Sequence, residues 1–465
     1  MGRRSRVSKA MALLVGLTWL SVAGRQAGWA QEALPSAAPT LTLRQAIEQA
    51  LGKNPDVAMA QADLKAAQAG LTEARTELLP RLNFVEDISR GNDPVYVFGT
   101  RLRQQQFTAA DFALNSLNNP TPVGNFATRF SGQWMLFNWF GTQETIHGAR
   151  FAAASATAMS EQANQRIVLR VVEAYQAVLY AQRQVDVARH EETTAQALLA
   201  DAKTKVHAGL AVDSDMLAAQ VNLSEQQEAC IAAEGDADVE WAQLEAAMGA
   251  ETSSSRAMLQ PIEARSFPDG VLADDIASAL KARPDLKALR QQALAEGVAA
   301  KAARDSLAPT VSAYGNWELD NPNFTGGGGN NWVAGVQLDL DIFPMAKRAK
   351  LAQQRAAQQK AEAQERAGEQ QIRLAVNRAW TEHHTAERIV ATAQASMQQS
   401  AESLRIIDNR YKAGLATMTD LLRAEDAQRR SQNDYWRAVY GNTVAYAALM
   451  YSTGTLTPDS AETLQ

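Results

Sequence analysis

The 465-residue chain contains a single cysteine, Cys230. That excludes an intrachain disulfide framework and any cysteine-rich metal cluster. Charged side chains, 21% of the total, recur too often for a polytopic helical membrane protein, which needs apolar runs of about 20 residues. Basic excess is also missing. The net charge is −6, and losing the five basic residues at 3, 4, 6, 9 and 25, with no acid among the first 30, takes it to −11. Nucleic-acid partners call for net basic patches, so no nucleic acid is expected. The five histidines (147, 190, 207, 383, 384) form no HExxH motif or spaced cluster, Gly-x-Ser-x-Gly is absent, and no nucleotide loop occurs. His383 and His384 are adjacent on a helical stretch, point apart and are expected to be solvated. The chain reads as no enzyme, without cofactor or metal. By its averages it is soluble, but a β-barrel segment does not register in averages.

The amino terminus carries an export pattern. Arg3, Arg4, Arg6 and Lys9 precede a short apolar run, Met11 to Val22, and Gly28-Trp29-Ala30 places small residues before Gln31. Residues 1–30 therefore read as a signal peptide, with a cut after Ala23 as the second choice. Cys230 is far from either cut, so no lipid-attachment cysteine follows the signal.

The remainder, 31–465, reads as one body made of two repeats, 40–250 and 271–454. Ile47, Leu51, Pro55, Arg75 and Pro80 match Ile276, Leu280, Pro284, Arg304 and Pro309 at an offset of 229. Gly132 and Phe140 match Gly335 and Phe343 at 203, and Tyr175, Gly209, Leu210, Asp215, Leu217, Trp241 and Gly249 match Trp380, Gly414, Leu415, Asp420, Leu422, Tyr446 and Gly454 at 205. Order is kept and offsets change only where loops would lie. Residues 251–270, with Ser253-Ser254-Ser255, Pro261 and Pro268, read as a linker.

Each repeat begins with helices. Thr42 and Gln45 make a capping box, and Pro55 ends one helix and opens the next. Strands follow, at about 81–90, 130–140, 310–320 and 331–343. In the second repeat Trp332, Ala334, Val336, Leu338, Leu340 and Ile342 face one way and Gln337, Asp339 and Asp341 the other, the period of a strand with one apolar face. A small soluble β-domain and a membrane barrel both fit alternation. Two features favour the barrel. The strands have the 9–11 residues that cross a bilayer, and aromatics flank them: Trp317 and Trp332 toward the loop, Trp139, Phe140 and Phe343 at the exit. Gln337, Asp339 and Asp341 would then face the lumen and the apolar side outer-membrane lipid. The glycines 326–329 belong to a hairpin loop, since no Lys-Ser/Thr follows them.

From Thr142 to His207, and again from Met345 to Lys412, there is no proline. Each stretch makes a helix of about 100 Å, and the second carries a narrow 3.5-period stripe through Val390, Ala393, Met397, Ala401, Leu404, Ile407 and Tyr411. The shorter helices Asp56 to Leu79 and Ser214 to Met248 sum to about that length and would stack end to end beside a long one. Four strands cannot close a barrel, and an open edge is not tolerated in lipid. The chain must oligomerise.

The sequence resembles the TolC-type outer-membrane efflux family over nearly the whole mature chain. The resemblance rests on Leu41-Thr42-Leu43, Ala46, Ala50-Leu51, Asn54-Pro55, Leu79-Pro80, Leu136-Phe137 with Gly141, the turn from Lys205 to Leu217 and its twin from Arg410 to Leu422. It implies a mainly α fold with membrane β: a homotrimer with a 12-stranded β-barrel continued by a long periplasmic α-helical barrel. It also implies a passive exit duct in the outer membrane of a Gram-negative bacterium, working with a periplasmic adaptor and an inner-membrane transporter. Gly209, Leu210, Gly414 and Leu415 would be the tips that meet the adaptor. Asp215, Tyr411, Asp420 and Arg423 would line the periplasmic gate, an acid–tyrosine contact holding it shut. Ala416 stands where an arginine can make a second lock, and Arg423 where a second acid can sit, so the lock is expected to be weaker. A periplasmic adaptor is the alternative, but it would have one helical hairpin and no aromatic-flanked strands. A trimeric surface adhesin would carry its strands at the carboxyl end.

Overall fold

Residues 40–251, 258–259, 263–268 and 270–464 are described in the structure, a computed structural model. The signal segment and half of the linker lie outside them. In chain order the elements are β1 (Thr40–Leu41), α1 (Leu43–Lys53), α2 (Pro55–Thr76), β2 (Arg81–Gly91), α3 (Pro94–Arg103), α4 (Leu114–Asn118), β3 (Val123–Phe137), α5 (Gly141–His207), α6 (Asp213–Met248), β4 (Met258–Leu259), α7 (Leu272–Ala282), α8 (Pro284–Asp305), β5 (Thr310–Asn321), β6 (Gly329–Asp339), α9 (Met345–Lys412), α10 (Met418–Thr453) and α11 (Pro458–Ala461).

Local chemistry explains the boundaries. The Thr42 backbone N–H donates to Gln45 (3.1 Å) and the Gln45 N–H to the Thr42 hydroxyl (3.2 Å), the reciprocal capping box that opens α1. Asn54 accepts from the Asp56 N–H, and Pro55 occupies the first turn of α2. The long helices α5 and α9 have 67 and 68 residues.

The shorter helices run end to end beside them. Asn54, at the α1–α2 junction, donates from Nδ2 to the Ala247 carbonyl of α6 at 2.8 Å. Gly249, which caps α6 at φ 66°, sits so close that a Cβ would lie 2.8 Å from the Lys53 carbonyl oxygen. The second half does the same: Arg283, before α8, donates to the Ser452 carbonyl of α10 at 3.2 Å, and Gly454 abuts the Arg283 backbone. Hydrophobic clusters hold the helices, and two of them matter most for the ends of the rods. The larger joins Leu43, Ile47, Tyr175, Leu244, Val439 and Leu456, and the smaller joins Leu198, Ala202, Ala219, Met418 and Leu421 near the α5–α6 and α9–α10 turns. The striped residues Val390, Ala393 and Met397 pack on the first, and Leu404, Ile407 and Tyr411 on the second.

At the opposite end stands one antiparallel sheet of order β2-β3-β5-β6. Two strands depart from the expected spans. β3 starts at Val123, not 130, because β2 continues to Gly91 and pairs with it. β6 spans 329–339, not 331–343, because its partner β5 starts at Thr310, opposite Asp339, directly after Pro309, which has no N–H to donate. Among the described residues no helix is long and apolar enough to cross a membrane.

Candidate functional site

The sheet has two chemically different faces. Pairing places Phe84 opposite Phe130, Phe130 opposite Trp317 and Trp317 opposite Trp332. These four rings form one row across all four strands, all exposed, with centroids of Phe84 and Phe130 5.1 Å apart and of Phe130 and Trp317 5.7 Å apart. Leu82 shares this face through Gly132 and Gly315, as do Ala334, Val336 and Leu338 through alternation. An exposed apolar face with an aromatic row is the chemistry of a lipid-facing surface. Sequence reading found Trp317 and Trp332 but not Phe84 or Phe130, which only the register brings into line.

The other face is polar. Gln337 pairs with Ser312 and Asp339 with Thr310, on the same side as Asn83, Ser131, Asn316, Arg129 and Glu318. Asp341 lies past the end of β6, ion-paired to Lys347 at 2.7 Å. Trp139 and Phe140 lie beyond β3, in a left-handed turn (φ 54° and 67°) that opens α5, and Phe343 lies beyond β6, fully outside the ladder. Toward the hairpin loops, the end of α3 folds over the polar face. Arg129 makes a bidentate pair with Glu318 (2.9 and 3.2 Å). Gln104 donates to Asn125 (2.9 Å), which donates to Asp320 (2.7 Å). Asn331 donates to Asp320 and to the Arg103 carbonyl. Gln104, Asn125, Glu318 and Asp320 are all buried by this loop. Gln104 follows α3, whereas Asn125, Glu318 and Asp320 belong to β3 and β5, and only the folding of the α3 segment over the sheet brings them together.

At the far end of the helices the two turns are built alike. The Gly209 N–H donates to the Val206 carbonyl and the Leu210 N–H to that of Lys205; Gly414 and Leu415 repeat this with Tyr411 and Arg410. This 6→1, 5→2 pattern needs a left-handed residue, and the glycines supply it at φ 71° and 73°. It leaves Leu210 79% and Leu415 69% exposed.

The four residues expected at the entrance divide into two groups. Asp420 closes a capping box on α10: its carboxylate accepts from the Thr417 hydroxyl (2.7 Å) and N–H (3.0 Å), which holds it below the usual carboxylate range, with Arg423 adding to the effect. Tyr411 turns toward α5, its ring 4.2 Å from the Lys205 ammonium, itself paired to Asp201 at 2.8 Å. Burial pushes the Tyr411 hydroxyl above its ordinary value, while Lys205 pulls it down. Asp215 sits in the first turn of α6, and within the described chain no hydrogen bond joins it to Tyr411.

His383 corrects the expectation of solvation. It is fully buried against Phe267 and Tyr446, whereas His384 stacks on Trp380 at 3.8 Å. Among the described residues no group of three or more histidine, cysteine or acidic side chains is placed to hold a metal ion.

Comparison with known proteins places this geometry. Residues 46–250 and 276–455 match the family model of the outer membrane efflux protein. The chain is 23% identical over 427 residues to the outer membrane efflux protein BepC of Brucella suis, covering 91% of this chain and 87% of that one. Its fold is that of the CmeC outer membrane channel of Campylobacter jejuni (TM-score 0.77, 16% identity, 93% of each chain). It is also that of the outer membrane protein VceC of Vibrio cholerae (TM-score 0.72, 18% identity, 89% of this chain and 96% of that one). The chain belongs to the outer membrane efflux protein family.

Proposed function

We propose that three copies of the chain close into a 12-stranded barrel set on a helical tunnel, and that this duct carries substrates passively out of the cell. One observation supports this reading above the others. A four-stranded sheet with an apolar, aromatic outer face has open edges at β2 and β6 and is carried on helices of about 100 Å. Because all three pairings of this sheet are antiparallel, β6 runs opposite to β2. The β6 edge of one copy therefore meets the β2 edge of the next in the pattern already used inside each sheet, and the ring has no edge left in lipid. Gln337 and Asp339 then face water, and the aromatic row faces the membrane.

The body 31–465 works as two repeats, 40–250 and 271–454, behind a signal peptide at 1–30. Leu210 and Leu415 at the tips are apolar surfaces for a periplasmic adaptor, which links the duct to an inner-membrane transporter. The transporter supplies the energy. Asp215 with Tyr411 forms the gate between neighbouring helices, and Asp420 and Arg423 set the charge at the entrance. An adaptor would leave the open, lipid-compatible sheet without a use.

Membrane fractionation tests the reading. The protein should stay in the outer-membrane fraction until detergent is added and then run at the mass of three chains. In whole cells, external protease should cut only near 91–128 and 321–330. Release as a soluble monomer without detergent would overturn it.

A further inference from the structure

Between α5 and the α9–α10 hairpin, above the turns, lies a cavity of about 800 Å³. The charges around it do not balance. On α5, Asp201 is paired to Lys205 at 2.8 Å. On α9, Asp408 is paired to Lys412 at 2.7 Å and Arg405 to Glu402 at 2.6 Å. That leaves Glu191 of α5 and Glu425 of α10, which line the same space and make no ion pair or side-chain hydrogen bond among the described residues. Glu191 is only 8% exposed. The basic side chains that act on it are His190 and Arg429, and Arg429 is paired to Asp426. The rest of the wall is apolar, with Leu198, Leu404 and Leu421, or weakly polar, with Thr194 and Gln428.

A buried carboxylate without a partner is costly, and two facing one cavity also repel. An occupant carrying positive charge would relieve both. A bare metal ion does not fit, since no three ligands converge here. The volume is that of a small-molecule site, with an apolar wall and a few convergent polar groups.

We propose that this cavity binds an amphipathic organic ammonium, its charged head between Glu191 and Glu425 and its apolar body against Leu198, Leu404 and Leu421. The ligand joins the α5 side of the cavity to the α9–α10 hairpin. Burial, with repulsion from Glu191 and Asp408, pushes the Glu425 carboxyl up to about 7, as expected where positive charge is lacking. The proposal does not rest on the duct reading, since binding is measured on the purified protein without transport.

The test uses dansylcadaverine, a fluorescent primary amine with an aromatic body, on the detergent-purified full chain. Wild type should give a saturable fluorescence rise at pH 8, and the N-acetylated, uncharged probe should not. Glu191→Gln and Glu425→Gln should each weaken binding at least tenfold, with circular dichroism unchanged. Glu228→Gln, which removes an exposed acid of α6 outside the cavity, should leave binding as it is. Equal binding of the acetylated probe to wild type would overturn the proposal, and this needs no variant to fold. Binding unaffected by either cavity substitution, or lost equally in Glu228→Gln, would also overturn it.

Discussion

Substituting Gly249 by alanine tests whether the short helices really stack as one rod. Two costs add at this position. Gly249 has φ 66°, and an L side chain in the left-handed region costs roughly 1–2 kcal/mol. Its Cβ would also fall 2.8 Å from the Lys53 carbonyl oxygen and 2.9 Å from Asn54 backbone atoms. These are backbone atoms of a helix junction pinned by the Asn54–Ala247 hydrogen bond, so they cannot turn aside as a side-chain tip would. Overpacking of this kind costs about 1–3 kcal/mol. The sum is about 2–5 kcal/mol. Gly414→Ala is the matched comparison. It has φ 73° but nothing within 4 Å of the added carbon, so it carries the backbone cost alone, about 1–2 kcal/mol. Urea unfolding of the detergent-purified protein, followed by circular dichroism, should rank wild type above Gly414→Ala and Gly414→Ala above Gly249→Ala. If Gly249→Ala were no more destabilising than Gly414→Ala, the α6 end would not be packed against Asn54, and the end-to-end rod would be wrong.

Further outcomes follow from the same contacts. Thr417→Ala removes the α10 cap that Asp420 completes and should cost about 1 kcal/mol, read as a lower urea midpoint. Tyr411→Phe combined with Asp215→Ala should raise single-channel conductance, and unchanged conductance would remove these residues from the gate. Folding raises the Glu425 carboxyl from 4.5 to about 7, so the folded state holds a proton that the unfolded chain releases at lower pH. Its stabilising contribution is full below about pH 4.5 and is lost as pH rises through about 7. Urea midpoints measured between pH 5 and 8 should therefore fall less steeply in Glu425→Gln than in wild type. If the aromatic row faces lipid in an oligomeric barrel, as proposed, Trp332→Arg should reduce the assembled oligomer in membranes, whereas Gln337→Arg on the polar face should not.

Prolines and glycines made the helical part of the fold legible. Pro55, Pro284, Gly209 and Gly414 stand at the helix ends that the sequence assigns to them, because each acts on its own backbone. The strand faces of β5 and β6 were legible for the same local reason. Features needing two distant segments were not. The aromatic row joins Phe84 to Trp332 through three pairings, and no single strand displays it. The start of β3 was hidden because Gly124, Asn125, Thr128 and Arg129 interrupt its apolar alternation, and Gln104, which bonds the buried Asn125, lies 21 positions earlier. His383 reads as a surface histidine on α9 until Phe267 and Tyr446 close over it. Glu191 and Glu425 meet only because α5 lies against α10.

Electrical recording tests the central claim, a water-filled duct through the membrane, most directly. Purified full-length protein added to a planar lipid bilayer should insert in discrete current steps of uniform size. A protein that binds the bilayer or stays in solution without producing steps, under conditions where a known porin inserts, would contradict it.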